Sequence, residues 1–335
     1  MMNATNLSNS TLEMLVSPVM TMAVPAIYLV VFVCSTPFNL VSLVALVSLH
    51  SKRPNSTSVL TINLSLADLL YSAFLPLQVL YHLRGNNWPW GSALCGLTTA
   101  ALYCNMHCSV LISCAIAFER YCGVVHPLRT KHWHTTRRAS ITCLLIWAFV
   151  LVMQYPLFRW DLTLQVTELD ITTCFDVLPR RIFENSRNAY LYFIFVMMMF
   201  NVLPLAMLVG CYVAVARELR RSSPLETDCS EMKREMSLRR QAQTTVALAT
   251  LCFVVCYLPT AILHTLHLVF HAQGYGRLYM YYELALSINS FNCCFDPFLY
   301  YFASREFRWA LRKRFGWCCP LINESGNTAL VSKTG

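Results

Sequence analysis

Residues 22–49 read MAVPAIYLVVFVCSTPFNLVSLVALVSL and contain no charged side chain. About 20 predominantly apolar residues are enough to cross the hydrocarbon core of a bilayer as a helix. Because hydrocarbon offers the backbone no hydrogen-bonding partner, a crossing segment has to satisfy its own amides, and an α-helix does this within one segment. This stretch therefore predicts a transmembrane helix.

Six further apolar windows follow along the chain, separated by short polar gaps. They cover residues 57–82, 92–125, 137–158, 187–217, 239–270 and 278–302. Of the 335 residues, 56% are hydrophobic and 13% are charged, which is about half the charged share of a soluble domain. We predict an all-α membrane protein in which a seven-transmembrane helix bundle occupies residues 22–302.

The distribution of basic residues predicts the orientation of the bundle. With the amino terminus outside, the cytosolic gaps and the carboxy-terminal tail hold 19 of the 26 lysines and arginines, in agreement with the positive-inside rule. This topology explains the net charge of +9, so we expect no nucleic-acid partner. Residues 1–21 lack the basic and apolar regions of a cleaved signal peptide, and we expect them to form an extracellular tail. The predicted location is the plasma membrane.

The residues expected outside the membrane agree with this orientation. Asn3, Asn6 and Asn9 each begin an N-x-S/T sequence, so we predict N-glycosylation of the tail. Most of the 16 cysteines lie inside apolar windows, where cysteine packs as a small hydrophobe. Cys95 and Cys174 fall at extracellular positions, in an oxidising compartment. We expect them to form a disulfide rather than two free thiols.

Two carboxylates stand inside predicted helices, Asp68 in NLSLADLL and Asp296 in NCCFDPFLY. A charge in this setting costs roughly 2.5–3.5 kcal/mol on insertion scales, so it needs a compensating partner. Two acids that face one interior cannot both stay ionised unless they share a cation or a proton. Asn39, Ser109 and Asn292 lie at comparable depth. Two interpretations remain: a hydrated cation pocket, or a static hydrogen-bond network between the helices.

The sequence Glu119-Arg120-Tyr121 closes the third apolar window. An arginine at the membrane edge beside a carboxylate is neutral as a pair and costs less to bury. If the bundle opens, the guanidinium becomes available to a cytosolic partner.

Prolines and a basic amphipathic segment complete the pattern. The second, fourth, fifth, sixth and seventh apolar windows each contain a proline that removes a backbone hydrogen bond and can kink its helix: Pro76, Pro156, Pro204, Pro259 and Pro297. Residues 303–317 combine aromatic and basic side chains, which predicts an amphipathic helix on the membrane surface in contact with anionic lipid. Cys318 and Cys319 follow as predicted palmitoylation sites, in a cytoplasmic tail of residues 318–335.

Taken in order along the chain, these elements resemble the rhodopsin-like (class A) G protein-coupled receptors. The matching elements are Asn39, Leu66-Ala67-Asp68, Cys95, Glu119-Arg120-Tyr121, Trp147, Pro204 with Tyr212, Phe253-x-x-Cys256-Tyr257-x-Pro259 and Asp296-Pro297-x-x-Tyr300. Each element is short, but together they stand in the order and the helices of the family. The resemblance implies a receptor for an extracellular ligand that activates a heterotrimeric G protein, with arrestin as a further partner.

The resemblance also implies roles for individual residues. An allosteric sodium ion would be held by four oxygen-bearing side chains, Asp68, Ser109, Asn292 and Asp296, and no other cofactor is implied. The activation switch at the cytosolic end would consist of Glu119, Arg120, Tyr121, Tyr212 and Tyr300. The toggle of the sixth helix would consist of Phe253, Tyr257 and Pro259. Tyr257 stands where the family usually has tryptophan or phenylalanine.

Within this class, the loop ITTCFDVL at 171–178 and the segment DPFLYYFAS at 296–304 look like the metabotropic purinoceptor branch and its lipid-sensing members. Nucleotide-binding members of that branch pair a histidine in the sixth helix with a basic residue one turn later, where this chain has Ala261 and His264. The resemblance favours an anionic lipid or lipid conjugate as ligand, with a nucleotide as the alternative. It suggests a G protein of the twelve/thirteen or the inhibitory class.

Arginines beside aromatic side chains at the outer end of the bundle suit a phosphate or carboxylate headgroup. The ligand contacts that we predict are Tyr81, Tyr103, His107, Arg159, Arg187, His264, Tyr282 and Glu283. Alternatively, any one of the arginines is solvated or paired with a loop acid.

Other classes of protein fit the sequence less well. It contains no phosphate loop, metal-ligand motif or nucleophile elbow, so we expect no enzyme activity. A transporter or channel would also carry intramembrane acids and prolines, but such folds tend to show internal repeats. A decoy receptor that binds ligand without signalling is a further alternative, against which the intact Glu119-Arg120-Tyr121 argues.

Overall fold

The computed structural model describes residues 2–4, 7–52, 54–130, 135–177, 186–221, 229–270, 276–303, 307, 308 and 311. These residues are mostly helical. Their α-helices are α1 Asn9–Leu15, α2 Val24–Lys52, α3 Ser56–Leu83, α4 Gly91–Val125, α5 Pro127–Thr130, α6 Thr136–Arg159, α7 Ser186–Met197, α8 Leu203–Arg221, α9 Cys229–Cys252, α10 Leu258–Phe270, α11 Gly276–Asn289 and α12 Asn292–Ala303. Their strands are β1 Met2–Ala4, β2 Thr163–Val166 and β3 Ile171–Cys174.

These helices form seven spans. The first four spans are α2, α3, α4 and α6; the fifth joins α7 to α8, and the sixth joins α9 to α10. Within the described residues, six helical stretches are long and apolar enough to cross a membrane. The seventh span consists of the shorter helices α11 and α12, joined at Ser290 and Phe291, whose amides still bond back to the carbonyls of Leu286 and Ile288. The predicted all-α seven-transmembrane bundle is therefore confirmed.

The side chains are distributed as a lipid-facing bundle requires. Large apolar side chains cover the outside of the spans, with Leu144 69% and Val152 71% exposed. Asn39, Ser65 and Asp68 are completely buried inside the bundle. In a soluble protein the polar side chains would lie outside, whereas in a bilayer they avoid lipid by facing the interior.

Widened helical turns precede three of the prolines. The π-helical turns are Val19–Ala23, Met198–Val202 and Phe253–Tyr257. Each turn ends two residues before a proline, namely Pro25, Pro204 and Pro259. A proline ring collides with the carbonyl four residues earlier and donates no hydrogen bond to it, and an extra residue in the preceding turn relieves that collision. The distortions expected in the fifth and sixth spans thus take the form of widened turns.

The amino-terminal segment packs on the bundle, where the sequence predicted only a tail. Ser8 caps α1 by accepting a hydrogen bond from the amide of Thr11 at 3.3 Å, and Met14 and Leu15 are buried. Strand β1 pairs in parallel with β2, which pairs antiparallel with β3. The segment therefore adds a third strand to the hairpin formed by β2 and β3, which we call the extracellular hairpin.

Several predicted modification sites lie at the ends of the chain. Asn9 is the first residue of α1 and is exposed. The side chains of Asn3 and Asn6, the cysteines Cys318 and Cys319, and most of the predicted amphipathic helix lie outside the described residues. These sites stay predictions.

Candidate functional site

A disulfide holds the extracellular hairpin in place, as predicted. Cys95 at the outer end of α4 is bonded to Cys174 at the end of β3, with Cα atoms 5.7 Å apart and a sequence separation of 79 residues. Beside this bond, the amide of Trp88 donates to the carbonyl of Thr172 at 2.7 Å. The hairpin is thus fastened to the third span and to the loop before it.

Tyrosines surround two buried acids next to the hairpin. Asp176, two residues after β3, accepts hydrogen bonds from the hydroxyls of Tyr81 at 2.6 Å and Tyr279 at 3.2 Å. Glu283, one turn along α11 from Tyr279, accepts a hydrogen bond from the hydroxyl of Tyr28 at 3.2 Å. Asp176 is 9% and Glu283 is 6% exposed. Tyr81 and Glu283, two predicted ligand contacts, are therefore bonded to protein partners.

Two acids near the hairpin differ in proton affinity. Burial raises the pKa of Asp176 to about 6, although the hydrogen bonds from Tyr81 and Tyr279 oppose this shift. Partial burial acts in the same direction on Asp161, but hydrogen bonds from Ser92 and Thr163 outweigh it and hold that pKa at about 2. Asp176 therefore changes charge near neutral pH, whereas Asp161 stays ionised.

Three other predicted ligand contacts lie together in the outer half of the bundle. The hydroxyls of Tyr103 and Tyr282 are 2.8 Å apart, and the His264 ring stacks on Tyr282 with centroids separated by 5.1 Å. His107, one turn deeper on α4 than Tyr103, is buried and hydrogen-bonded to Gln154 at 2.7 Å. These contacts join the third, fourth, sixth and seventh spans.

The described arginines at the extracellular end of the bundle are exposed. Arg84 and Arg159 face outward at the ends of α3 and α6, and Arg277 pairs with Glu13 of the amino-terminal segment at 3.5 Å. The side chain of Arg187, another predicted contact, lies outside the described residues. Among the described side chains, the outer half buries acids, tyrosines and histidines and presents its arginines at the rim.

The two intramembrane acids lie deeper in the bundle and have oxygens without a partner. Asp68 accepts a hydrogen bond from the amide of Asn105 at 2.8 Å through one oxygen. Its other oxygen, one oxygen of Asp296 and the hydroxyl of Ser109 are buried with no hydrogen-bond partner among the described residues. This part of the bundle therefore has buried acceptors that call for a cation, a proton or water.

The donor set fits a sodium ion in chemical type, because hard cations prefer oxygen ligands. Asp68, Ser109 and Asp296 provide such oxygens. Asn292 instead donates its amide to the hydroxyl of Tyr257 at 2.6 Å, so its side chain is bonded to the predicted toggle. Within the described residues, no group of three or more His, Cys, Asp or Glu side chains is arranged to hold a metal.

A hydrogen-bond network occupies the same level of the bundle. Asn39 donates to the carbonyl of Cys293 at 2.8 Å, and the Cys293 thiol donates to Asn105 at 3.3 Å. Sequence reasoning missed Asn105, although it stands one turn before Ser109 on the same face of α4, a spacing that places two polar side chains side by side. The cation pocket and the static network, which were alternatives in the sequence, are adjacent in the structure.

At the inner end, Thr57 connects the two charged residues of the predicted switch. Its hydroxyl donates to Glu119 at 3.3 Å and accepts a hydrogen bond from Arg120 at 3.4 Å. Tyr121 contacts His126 at 3.2 Å. Sequence reasoning missed Thr57, which stands at the start of α3, two residues after the helix cap Asn55.

Two tyrosines of the predicted switch belong to different spans but pack against the same apolar cluster. Tyr121 and Tyr212 are partly buried and pack on the same apolar cluster, which also contains Phe253. The side chain of Tyr300 lies outside the described residues. The third, fifth and sixth spans therefore meet at this cluster near the inner end of the bundle. The role of Tyr300 in the switch stays a prediction.

The predicted toggle lies in the widened turn of the sixth span. Phe253 and Tyr257 stack with ring centroids 5.3 Å apart, and Pro259 follows the turn. Because Tyr257 carries a hydroxyl, it accepts the hydrogen bond from Asn292. This contact links the sixth span to the seventh beside the intramembrane acids.

Comparison with known proteins places this geometry in a family. The family model described as 7 transmembrane receptor (rhodopsin family) matches residues 39–300. A purinoceptor of Gallus gallus, purinoceptor 8, is 34% identical over 305 residues, or 91% of this chain and 83% of that relative. The S-geranylgeranyl-glutathione receptor of Homo sapiens is 36% identical over 316 residues, 94% of this chain and 85% of the relative. Proteinase-activated receptor 1 of Homo sapiens is 37% identical over 295 residues, 87% and 66% of the two chains.

Proposed function

The chain belongs to the rhodopsin family of seven-transmembrane receptors, and from this premise we propose that it is a plasma-membrane receptor for an extracellular lipid conjugate. On binding, it activates a heterotrimeric G protein. The observation that carries this proposal is the contact of Thr57 with Glu119 and Arg120 at the inner end of the bundle. These hydrogen bonds are long, so separating the third span from the second removes one restraint on the guanidinium that a cytosolic partner would bind.

The ligand class rests on the arrangement of the outer half. Exposed Arg84 and Arg159 suit an anionic headgroup at the rim, because guanidinium groups bind carboxylate and phosphate well. Inside the rim, Leu102, Met106 and Leu263 belong to a continuous apolar cluster that favours a hydrocarbon chain. The name of the human relative, S-geranylgeranyl-glutathione receptor, describes a ligand of this kind, with a lipid chain on a charged peptide.

A second candidate is a receptor activated by proteolysis of its amino terminus. It is favoured by the similarity to Proteinase-activated receptor 1 and by the position of the amino-terminal segment. The amide of Asn86 donates to the carbonyl of Leu15, and Glu13 pairs with Arg277 at 3.5 Å. A segment that already touches the second and seventh spans could act on them after cleavage.

A nucleotide is the third candidate ligand, in line with the name of the Gallus gallus relative. The nucleotide-binding pattern expected from the branch is incomplete, since Ala261 is buried where that pattern has a histidine. A transporter, channel or decoy would bind ligand or ions without nucleotide exchange on a G protein.

One experiment separates these candidates. Membranes with matched surface receptor are incubated with a panel of G alpha subunits, and nucleotide exchange is measured after S-geranylgeranyl-glutathione, adenosine and uridine nucleotides, or a trypsin-like protease. We expect exchange after the lipid conjugate, on a subunit of the twelve/thirteen or inhibitory class. Exchange after protease alone would support the second candidate, and exchange after nucleotides alone the third.

Arg120→Ala tests the switch itself. We expect the variant to keep surface level and ligand binding but to lose at least about tenfold in stimulated exchange, because the group offered to the G protein is gone. Arg137→Ala removes the same charge from an exposed position at the start of α6 and should signal like the unaltered chain. If Arg120→Ala signals as well as Arg137→Ala, the switch assignment is wrong and the transporter or decoy interpretation is favoured.

A further inference from the structure

One tyrosine lies between the two buried acids of the outer half. The hydroxyl of Tyr279 donates to Asp176 at 3.2 Å, and Glu283, one turn along α11 from Tyr279, accepts a hydrogen bond from Tyr28 at 3.2 Å. A phenol has a single hydrogen, so it donates to one carboxylate at a time. Tyr279 gives its hydrogen to Asp176, and the charge of Asp176 also acts on Glu283, so a proton on one of the two acids relieves their repulsion. The geometry therefore contains a place for a proton between two acids that belong to different elements.

The surroundings supply hydrogen-bond donors but no described cation in contact with either acid. The titratable side chains around the two acids are Tyr28 of the first span, Tyr71, Tyr81 and His82 of the second, Tyr103 of the third, and Tyr282 of the seventh, with His264 and His267 of the sixth span packed against Tyr282 and Tyr279. Arg277, the basic residue close by in sequence, is 76% exposed and pairs with Glu13. Two buried negative charges at this site would repel each other without compensation.

We propose that Asp176, Tyr279 and Glu283 form a proton-binding site that fastens the extracellular hairpin to the seventh span. Asp176 belongs to the segment anchored by the Cys95–Cys174 disulfide, and Glu283 belongs to α11. When protons occupy the site, the two acids do not repel each other, and the hydrogen bond from Tyr279 to Asp176 holds the hairpin to α11. When protons leave, the charges left behind push the two elements apart. Extracellular acidity thereby acts on the contact that covers the outer end of the bundle.

The direction of the effect follows from the proton affinity of Asp176. Burial raises its pKa from 3.8 to about 6 in the docked hairpin, so the docked form binds more protons than the undocked form. Docking is therefore strongest in acid and weakens as the pH rises through about 6. Between pH 7.5 and pH 5.5, these two values give about a fourfold strengthening of docking.

The test follows the hairpin directly, so its result does not depend on any ligand or G protein. The full chain in lipid nanodiscs is analysed by hydrogen–deuterium exchange at pH 7.5 and 5.5. The quantity compared is the protection factor of residues 163–176, in which the chemical pH dependence of exchange is already divided out. We expect protection to rise about fourfold in acid.

Variants identify the group that titrates. Asp176→Asn should abolish the rise, and Glu283→Gln, a neutral replacement for the protonated glutamate, should keep it. Asp170→Asn is the matched control: it removes a charge from an exposed position in the turn of the same hairpin, where the positive φ of 49° suits asparagine. It should keep the full rise. If Asp176→Asn does not fold, Tyr279→Phe is the second variant: it removes a hydrogen bond that lowers the pKa of Asp176, so the rise should move to higher pH.

Three results would overturn the proposal. A wild-type hairpin whose protection is the same at both pH values has no proton-dependent contact. An undiminished rise in Asp176→Asn assigns the titration to another group, such as His82. If Asp170→Asn also loses the rise in protection, the rise depends on the net charge of the hairpin and not on Asp176.

Discussion

The outer and inner halves of the bundle each bury a pair of acids, and they satisfy them differently. In the outer half, Asp176 and Glu283 accept hydrogen bonds from tyrosines that belong to other elements. In the middle of the bundle, Asp68 and Asp296 each leave one oxygen without a partner among the described residues. The outer pair is completed by the protein itself and a proton. The inner pair has acceptor oxygens that the described side chains do not satisfy.

This difference separates a region whose acids have tyrosine donors from a region whose acids need a cation, a proton or water. A buried polar group without a partner costs roughly 1–3 kcal/mol, and more when it is charged. A cation or water that satisfies Asp68 and Asp296 therefore stabilises the arrangement around it, and its loss favours another arrangement. The outer half has a disulfide and shared hydroxyls instead. We accordingly expect mutations of the outer half to affect assembly, and mutations of the inner half to affect the balance between states.

The largest effect should come from cutting the covalent link of the outer half. Cys95→Ser or Cys174→Ser opens a loop of 79 residues, which the chain-entropy model values at about 4 kcal/mol as an upper limit. The hairpin that carries Asp176 would then lose its anchor on the third span. We expect surface receptor, measured by antibody labelling of intact cells, to fall at least about tenfold.

A free cysteine provides the control for this change. Cys34→Ser removes a half-buried thiol of the first span and should leave surface receptor close to normal. Normal surface expression and ligand binding in Cys174→Ser would show that hydrogen bonds alone hold the hairpin. The contrast between a covalently fixed outer half and an adjustable inner half would then fail.

A smaller effect should come from the inner acids. If a sodium ion binds between Asp68 and Asp296, raising the sodium concentration at constant ionic strength should weaken agonist affinity. A coupling free energy of about 1 kcal/mol between sodium and agonist binding corresponds to roughly a fivefold change in affinity. Asp68→Asn removes one of the two charges and should abolish this sensitivity. The measurement is displacement binding of an identified agonist in membranes, with a large organic cation replacing sodium.

The same substitution in the outer half sharpens the comparison. Asp176→Asn should keep the sodium sensitivity, because its carboxylate already has tyrosine donors. Equal sodium dependence in the unaltered chain and in Asp68→Asn would support the static network through Asn39, Cys293 and Asn105 instead.

Much of the fold could be predicted from the sequence because membrane helices follow from length and composition alone. The disulfide followed from Cys95 and Cys174 being at extracellular positions. The ordered amino-terminal segment could not be predicted in this way, since its strand depends on pairing between Met2–Ala4 and Thr163–Val166. Pairing between distant segments leaves no periodic pattern in either one.

The sequence predicts which charged residues form the candidate sites, but it does not predict which side chains bond to them. Asp68, Asp296 and Arg120 stand out because charge inside a membrane is costly. Asn105 and Thr57 are common polar residues in helices, and only the packing of spans shows which charged group each one touches. The role of Asp176 depends on Tyr81 and Tyr279, which lie 95 and 103 residues away in the chain.

The smallest effect, and the finest test of the inner half, concerns Thr57. Its hydroxyl bonds to both Glu119 and Arg120, at 3.3 and 3.4 Å, so Thr57→Val removes two long hydrogen bonds while keeping the shape of the side chain. A net loss of about 0.5–1 kcal/mol from the resting state should raise ligand-independent nucleotide exchange roughly twofold to fivefold. Thr61→Val, one turn along α3, is the matched control, because that hydroxyl bonds to the carbonyls of Thr57 and Ser58 within its own helix. If both variants show the same exchange as the unaltered chain, Thr57 does not restrain the switch, and the resting state of the inner half is held by other contacts of Arg120.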